Sequence, residues 1–150
     1  MSEKELLVRK IENGTVIDHI PSGFGLKVAS LLNLEKSHST SVILMNVNSK
    51  KLGKKDVVKI ENRELTQREV SKIALMAPSA TLNIIRNWKV VDKRKISLPE
   101  ILEEVIKCPN KNCITNYEEI KSKFIVEEKE PLKLRCYFCE RVFAREELPI

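Results

Sequence analysis

The sequence predicts an α+β fold in two parts, an N-terminal antiparallel sheet with two helices and a small β-rich C-terminal domain. Roughly the first 90 positions alternate between strand-like and helix-like segments. From about Lys95 the pattern changes, and all four cysteines fall between Cys108 and Cys139. The composition, with 42% apolar and 32% charged residues, is typical of a folded globular chain rather than a disordered one.

The N-terminal segments begin with a strand, a helix and two further strands. The first strand is predicted in LLVRKIENGTVIDHI, as one long bent strand or a hairpin, because Asn13-Gly14 suits positive φ in a turn or bulge. A short amphipathic helix follows in PSGFGLKVASLLN, with Ser22 as its N-cap. The next two strands, TSVILMNVN and KKDVVKIEN, are joined by a hairpin turn that Gly53 permits.

The second helix has the clearest local signal in the chain. Thr66 and Glu69 form a capping box at its start, and Pro78 ends it. One last strand is predicted in TLNIIRNWKVV. The resulting order is ferredoxin-like, an antiparallel sheet with both helices on one face, and we assign residues 1–97 to this domain.

A second, smaller domain is predicted over residues 98–150. It opens in ISLPEILEEVIK, where Pro99 stands at a plausible helix start. Apolar residues alternate on either side of Pro131, which predicts two strands. A domain of roughly 50 residues buries little core, and units of that size usually carry a metal or disulfides.

The cysteines form two close pairs, Cys108 with Cys113 and Cys136 with Cys139. Two such pairs at a distance are typical of one tetrahedral zinc site, because each tight turn delivers two sulfur ligands. With all four positions filled by protein, the zinc is expected to be structural rather than catalytic. Disulfides would need an oxidising compartment, and a redox pair in CYFC would leave the first two cysteines without a role.

The chain is expected to act in the cytoplasm and away from membranes. Its longest uncharged apolar stretches fall far short of the roughly 20 residues that span a bilayer, and MSEKELLVRK lacks the apolar core of a signal peptide. The net charge of +6 raises the question of nucleic-acid binding. Bases are interleaved with acids and aromatics are scarce, which favours a solvated surface over a nucleic-acid groove.

Several segments in combination carry a family resemblance: GTVIDHIPSG, KKDVVKIEN, APSATLNIIRN, and CPNKNC with CYFC. Together they resemble the regulatory chain of prokaryotic aspartate carbamoyltransferase over nearly the whole sequence. The resemblance implies a noncatalytic subunit whose N-terminal allosteric domain binds CTP or ATP and pairs with a second regulatory chain. It also implies that the C-terminal zinc domain holds the catalytic chain.

The resemblance further implies where the nucleotide binds. Lysines suit phosphate and sugar or base oxygens, and a carboxylate accepts hydrogen bonds from ribose hydroxyls or an exocyclic amine. Lys55 joins the set because it shares a strand face with Lys59. Arg9 and Trp88 differ from the family pattern near the expected base and bear on nucleotide preference. The candidate nucleotide residues are Asp18, His19, Lys55, Lys59, Asn83, Trp88, Val90 and Lys93.

Other interpretations of the same residues remain open at this point. Asp18 and His19 also fit a strand-end pair, the lysines a solvated face, and Trp88 a core position. A zinc-ribbon nucleic-acid-binding protein is the alternative function. An enzyme ranks last, because no nucleophile with its base, paired acids, open metal site or phosphate loop is evident.

Overall fold

The computed structural model describes residues 10–150. No helix among them is long and apolar enough to cross a membrane. They divide into two compact units, one formed by 10–65 with 79–95 and the other by 66–78 with 96–150. The domain boundary between residues 97 and 98 stays a prediction. The segment 66–78 groups with the C-terminal residues, although it lies within the N-terminal part of the sequence.

The first unit is built on a five-stranded antiparallel sheet, which confirms the predicted sheet. Helix α1 (Gly25–Leu31) follows the first strand. The strands are β1 (Gly14–Pro21), β2 (Ser41–Ser49), β3 (Gly53–Glu61), β4 (Thr81–Arg86) and β5 (Lys89–Lys95). Their order is β2-β3-β1-β4-β5, so the first four strands have the ferredoxin-like order and β5 extends one edge.

Two glycines in this sheet adopt positive φ values that other residues rarely adopt. Gly53 has a φ of +76° at the start of β3, directly after the hairpin turn from β2, so it permits this turn as predicted. Gly14 has a φ of +145°, and a Cβ atom there would lie 2.1 Å from the Ile60 carbonyl oxygen. The first strand begins at this glycine, and the part of the predicted strand before residue 10 lies outside the described residues.

The last predicted strand is a hairpin, which corrects the prediction of one strand in TLNIIRNWKVV. Strands β4 and β5 are joined by Asn87 and Trp88, with φ values of 50° and 69°. Positive φ at both central residues is the signature of a type I′ turn, which usually contains glycine. The turn escaped the sequence pattern because a tryptophan occupies the position where glycine is the common residue.

The predicted N-cap of α1 is wrong. The N-cap position is Phe24, without a side-chain hydrogen bond, and the Ser22 hydroxyl is 3.1 Å from Oδ1 of Asn46. The amide of Gly25 instead donates to Asp56, a residue 31 positions away in β3. A tertiary contact therefore does what a local side chain usually does at a helix start.

The second unit combines helix α2 with a four-stranded antiparallel sheet. Helix α2 is Gln67–Met76, and the strands are β6 (Ile101–Glu103), β7 (Lys123–Lys129), β8 (Leu132–Cys136) and β9 (Val142–Ala144). The sheet order is β6-β7-β8-β9. The predicted strands on either side of Pro131 are therefore confirmed, and Phe124, Leu102 and Leu134 of this sheet are fully buried.

Helix α2 begins and ends as its sequence indicates. The Thr66 hydroxyl accepts from the Glu69 amide and the Glu69 carboxylate accepts from the Thr66 amide, which confirms the capping box. The helix ends at Met76, just before Pro78. Within the same unit, Arg145 Nε donates to the Leu75 carbonyl oxygen at 2.7 Å, which satisfies an acceptor in the last turn.

The helix start predicted at Pro99 is wrong, because a short strand follows instead. Ile101 and Glu103 are exposed while Leu102 is buried, a period of two that suits a strand. Ile101 pairs with Ile125 of β7.

Candidate functional site

The four cysteines converge in the second unit. Cys108 and Cys113 lie in the loop after β6, Cys136 ends β8, and Cys139 lies in the turn that follows. All four sulfur atoms lie within 4.8 Å of one another, with 3.8 Å between Cys108 and Cys139 and 3.7 Å between Cys113 and Cys136. Four sulfurs about 2.3 Å from one tetrahedral ion would be separated by about 3.8 Å, so the cluster fits a metal ion.

Hydrogen bonds hold the first of the two cysteine loops. The Asn116 side-chain amide donates to the carbonyl oxygens of Cys108 and Asn110, at 3.1 Å and 2.8 Å. The Thr115 hydroxyl donates to the Cys113 sulfur at 3.2 Å. Such contacts orient the ligands before a metal arrives. All four thiols are free of disulfides.

The thiols differ in their acidity. Burial raises the pKa of both Cys108 and Cys136. Burial acts in the same direction on Cys139, but hydrogen bonds from the Asn110 side chain and the Arg141 backbone outweigh it and lower the pKa to about 7. The lowered pKa of Cys139 favours its thiolate, which is the form that binds metal.

A cavity of about 550 Å³ lies on one face of the five-stranded sheet. Six of the eight candidate nucleotide residues line it, and they come from β1, β3, β4, β5 and the turn before β5. Branched apolar side chains, among them Val16, Leu44 and Ile85, form much of the remaining wall. The six lining candidates are Asp18, Lys55, Lys59, Asn83, Trp88 and Val90.

Strand register explains why these distant residues meet. Val16 of β1 pairs with Lys59 of β3 on one side and with Asn83 of β4 on the other. Paired residues in an antiparallel sheet point to the same face, so the three side chains form a row across the cavity floor. Lys55, four residues before Lys59, falls on that face by the period of two.

The other two candidates, His19 and Lys93, do not line the cavity. His19 has a φ of 56° within a β-bulge of β1, and its Nδ1 lies 3.0 Å from the Thr81 hydroxyl. Lys93 pairs with Asn83 from β5 and is exposed. Both residues are near neighbours of lining residues, in sequence or in register.

Asp18 and Lys55 form an ion pair at one end of the cavity, with 2.8 Å between Nζ and Oδ1. Burial acts to raise the pKa of Asp18, but the ion pair with Lys55 and the His19 amide outweigh it, and the pKa is lowered. Burial and the surrounding lysines lower the pKa of His19 despite the neighbouring carboxylate. At neutral pH the Asp18 carboxyl group in the cavity wall is therefore ionised, and the neighbouring His19 imidazole, outside the lining, is uncharged.

Two further lining residues, Asn83 and Trp88, have unusual surroundings. The Asn83 side-chain oxygen is buried and has no hydrogen-bond partner among the described residues. Buried acceptors are rarely left unpaired in folded proteins. Trp88 is 55% exposed at the rim, which rules out the core position that its size had suggested.

Sequence reasoning missed several wall residues. Lys10 lies before β1, and Val47 and Asn48 follow an irregularity in β2, so no simple pattern placed them on this face. The positions of Val47 and Asn48 in the cavity wall are explained by this irregularity, which is visible only in the structure. Arg9, which was expected near the base, lies outside the described residues.

Comparison with known proteins gives consistent matches along the chain. The family model described as aspartate carbamoyltransferase regulatory chain, allosteric domain, matches residues 6–97. The model for the metal-binding domain of the same chain matches residues 100–149.

Individual relatives agree with the family models. A protein of Pyrococcus horikoshii is 58% identical over 146 residues, covering 96% of both chains. A protein of Methanocaldococcus jannaschii is 54% identical over 138 residues, covering 92% of both chains. Each is named aspartate carbamoyltransferase regulatory chain.

Proposed function

Because this chain belongs to the family of aspartate carbamoyltransferase regulatory chains, we propose that it binds CTP and ATP in the sheet cavity and controls the catalytic chains through a zinc domain. The chain is a noncatalytic subunit with an allosteric domain and a metal-binding domain. Its partners are accordingly catalytic chains. Control of this kind requires that each nucleotide bind two states of the assembly with different affinity.

The unpaired oxygen of Asn83 is the observation that carries the nucleotide proposal. It lies in the same row as Lys59, in a cavity whose volume of about 550 Å³ suits a small molecule. An amide oxygen accepts from a base amino group or a ribose hydroxyl, while lysine cations bind phosphate oxygens. Trp88 at the rim offers a face for stacking on the base. His19 and Lys93, next to this wall, complete the proposed set.

The metal of the second unit is proposed to be one structural zinc ion per chain. Sulfur separations of 3.7 Å and 3.8 Å support tetrahedral coordination by four thiolates. Zinc in such a site contributes on the order of 10 kcal/mol to folding, which offsets the small core of the domain. The four unpaired thiols also support a cytoplasmic location, where cysteines stay reduced.

We place the docking surface for the catalytic chain on the zinc domain. Tyr117 is 70% exposed, and Ile114, Tyr137 and Phe138 are exposed as well, all close in sequence to the cysteines. The rings of Tyr137 and Phe138 lie edge to face with 5.2 Å between their centroids. Exposed apolar groups of this kind near a rigid metal site are typical of an interaction surface.

The second regulatory chain is proposed to bind at the free edge of β2. Among the described strands, β2 pairs with β3 alone. Its nine residues, Ser41–Ser49, include no charged side chain. Long edge strands are usually protected by charges or covered by another chain, so an uncharged edge supports a homodimer through the N-terminal domain.

Calorimetric titration tests the nucleotide proposal. The zinc-loaded chain should bind CTP and ATP saturably at moderate salt, and GTP should bind much more weakly. The same titration is repeated on the complex with catalytic chains, because the pocket could require the assembled enzyme in order to form. Absence of CTP and ATP binding in both preparations would overturn the proposal.

A further inference from the structure

Asp56 of β3 is a buried acid that the sequence did not single out. It is 0% exposed, and its neighbours in sequence, Lys55 and Val57, line the cavity. Side chains alternate between the two faces of a strand, so Asp56 lies on the opposite face of the sheet from the cavity. A buried carboxyl group is costly unless hydrogen bonds satisfy it, so its partners indicate what it does.

Three backbone amides of the described residues donate to the Asp56 carboxylate. Oδ2 accepts from Gly23 at 3.0 Å and from Gly25 at 2.8 Å, in the turn that leads into α1. Oδ1 accepts from Asn46 of β2 at 2.8 Å. One side chain thus joins two backbone segments that are more than 20 positions apart.

The turn before α1 is fitted closely to this carboxyl group. A Cβ atom added at Gly25 would lie 2.9 Å from both Cβ and Oδ2 of Asp56. The Ser22 hydroxyl in the same turn lies 3.1 Å from the side-chain oxygen of Asn46, a second link between the two segments. The turn follows the β1 bulge that carries Asp18, after two paired residues at the end of the strand.

The Asn46 segment is an irregular part of β2. Pairing with β3 shifts from Leu44 with Val57 to Val47 with Lys55, and Asn46 between them has a φ of 61°. Because of this bulge, Leu44 and Val47 both line the cavity although they are three positions apart. The Asp56 carboxylate accepts a hydrogen bond from the Asn46 amide at the point where the β2–β3 pairing is interrupted.

We propose that Asp56 is a positioning residue for the nucleotide cavity. By holding the β2 bulge and the turn after β1, it keeps Val47 and the Asp18–Lys55 ion pair on the cavity wall. The residue acts through the backbone and does not touch the ligand. This inference rests on the proposed nucleotide function, and its experiment separates the two.

The variant Asp56→Asn keeps the size of the side chain but turns one acceptor oxygen into a donor group. At least one backbone amide then faces another donor, so we expect the CTP affinity of the folded protein to fall about tenfold. The matched control is Thr15→Val, which removes a different buried hydrogen bond of the same sheet, from the Thr15 hydroxyl to the Arg63 carbonyl oxygen. The control should lose thermal stability but keep its CTP affinity.

Amide hydrogen exchange gives a readout that needs no nucleotide. In Asp56→Asn the amides of Gly25 and Asn46 should exchange faster, while Val58 and Ile60, further along β3, stay protected. An unchanged CTP affinity in folded Asp56→Asn would overturn the inference, as would an equal loss in Thr15→Val. Should Asp56→Asn fail to fold, Gly25→Ala can replace it, because the added methyl group displaces the same carboxyl group. An unchanged CTP affinity in folded Gly25→Ala would then overturn the inference.

A wild-type chain and complex that bind no nucleotide would count against the proposed function. The exchange pattern would still decide whether Asp56 holds the two segments. Faster exchange spread over the whole sheet, with no preference for Gly25 and Asn46, would overturn the positioning role by itself.

Discussion

The four-cysteine cluster and the sheet cavity place their side chains in different ways. The cluster takes four identical ligands from two short stretches, and its sulfur atoms already lie within 4.8 Å of one another. The cavity takes lysines, a carboxylate, an amide and an aromatic ring from several strands, and two bulges set where some of them point. Chemistry contained in local spacing is visible in a sequence, whereas chemistry that depends on strand register is not.

Removing the metal should have the largest effect and should separate the two regions. Coordination contributes on the order of 10 kcal/mol, so chelation or Cys136→Ser should unfold residues 96–150 together with 66–78. The sheet of β1–β5 should stay folded and keep most of its CTP affinity. Hydrogen exchange followed by mass spectrometry measures both regions at once.

Restoring zinc to the chelated protein is the control and should return the protection. Equal loss of protection in the two units would instead show that they form one cooperative structure. In that case the cysteine cluster and the sheet cavity would not belong to separately stable units.

The next effect concerns the row of paired residues on the cavity floor. Lys59→Ala should lower CTP affinity at least tenfold, or about 1.4 kcal/mol, because a charged contact is lost. Lys36→Ala removes the same charge from an exposed position and should leave affinity unchanged. Calorimetric titration of CTP into each variant measures the two affinities.

Lys93→Ala tests the same site from β5, and we expect a loss of similar size. Unchanged affinity in both Lys59→Ala and Lys93→Ala would reject this placement of the nucleotide.

The smallest expected effect is on the turn at Trp88. Trp88 has a φ of 69°, so Trp88→Gly should raise the free energy of unfolding by about 1 kcal/mol as backbone strain is relieved. The same change should weaken CTP binding because a stacking face is lost. Denaturant unfolding and calorimetry measure the two effects separately.

Asn87→Gly is the matched variant, since Asn87 has a φ of 50° in the same turn but does not line the cavity. It should keep wild-type CTP affinity. A loss of stability in Trp88→Gly would show that the ring packs more favourably than its exposure suggests.

Elements fixed by neighbouring residues were predictable. The capping box of α2 and the turn at Gly53 depend on side chains or backbone within a few positions, and both are confirmed. The start of α1 was not predictable, because Asp56 satisfies it from 31 positions away. The β4–β5 hairpin was missed because its turn uses Asn87 and Trp88 instead of glycine.

The candidate sites follow the same division. Spacing alone selected all four cysteines that cluster in the structure. For the cavity, the period of two selected Lys55 beside Lys59, and the family resemblance supplied the other candidates. Val47 and Asn48 could not be found, since the bulge before them changes which side chains face the cavity.

Helix α2 has a consequence for how this chain can be divided. In sequence it connects β3 to β4, yet it belongs to the compact unit that contains Arg145, whose side chain binds its last turn. A single cut near residue 97 would leave this helix on one fragment and most of its unit on the other. The two units are interleaved along the chain, so neither can be exchanged between proteins as a cassette with one joining point.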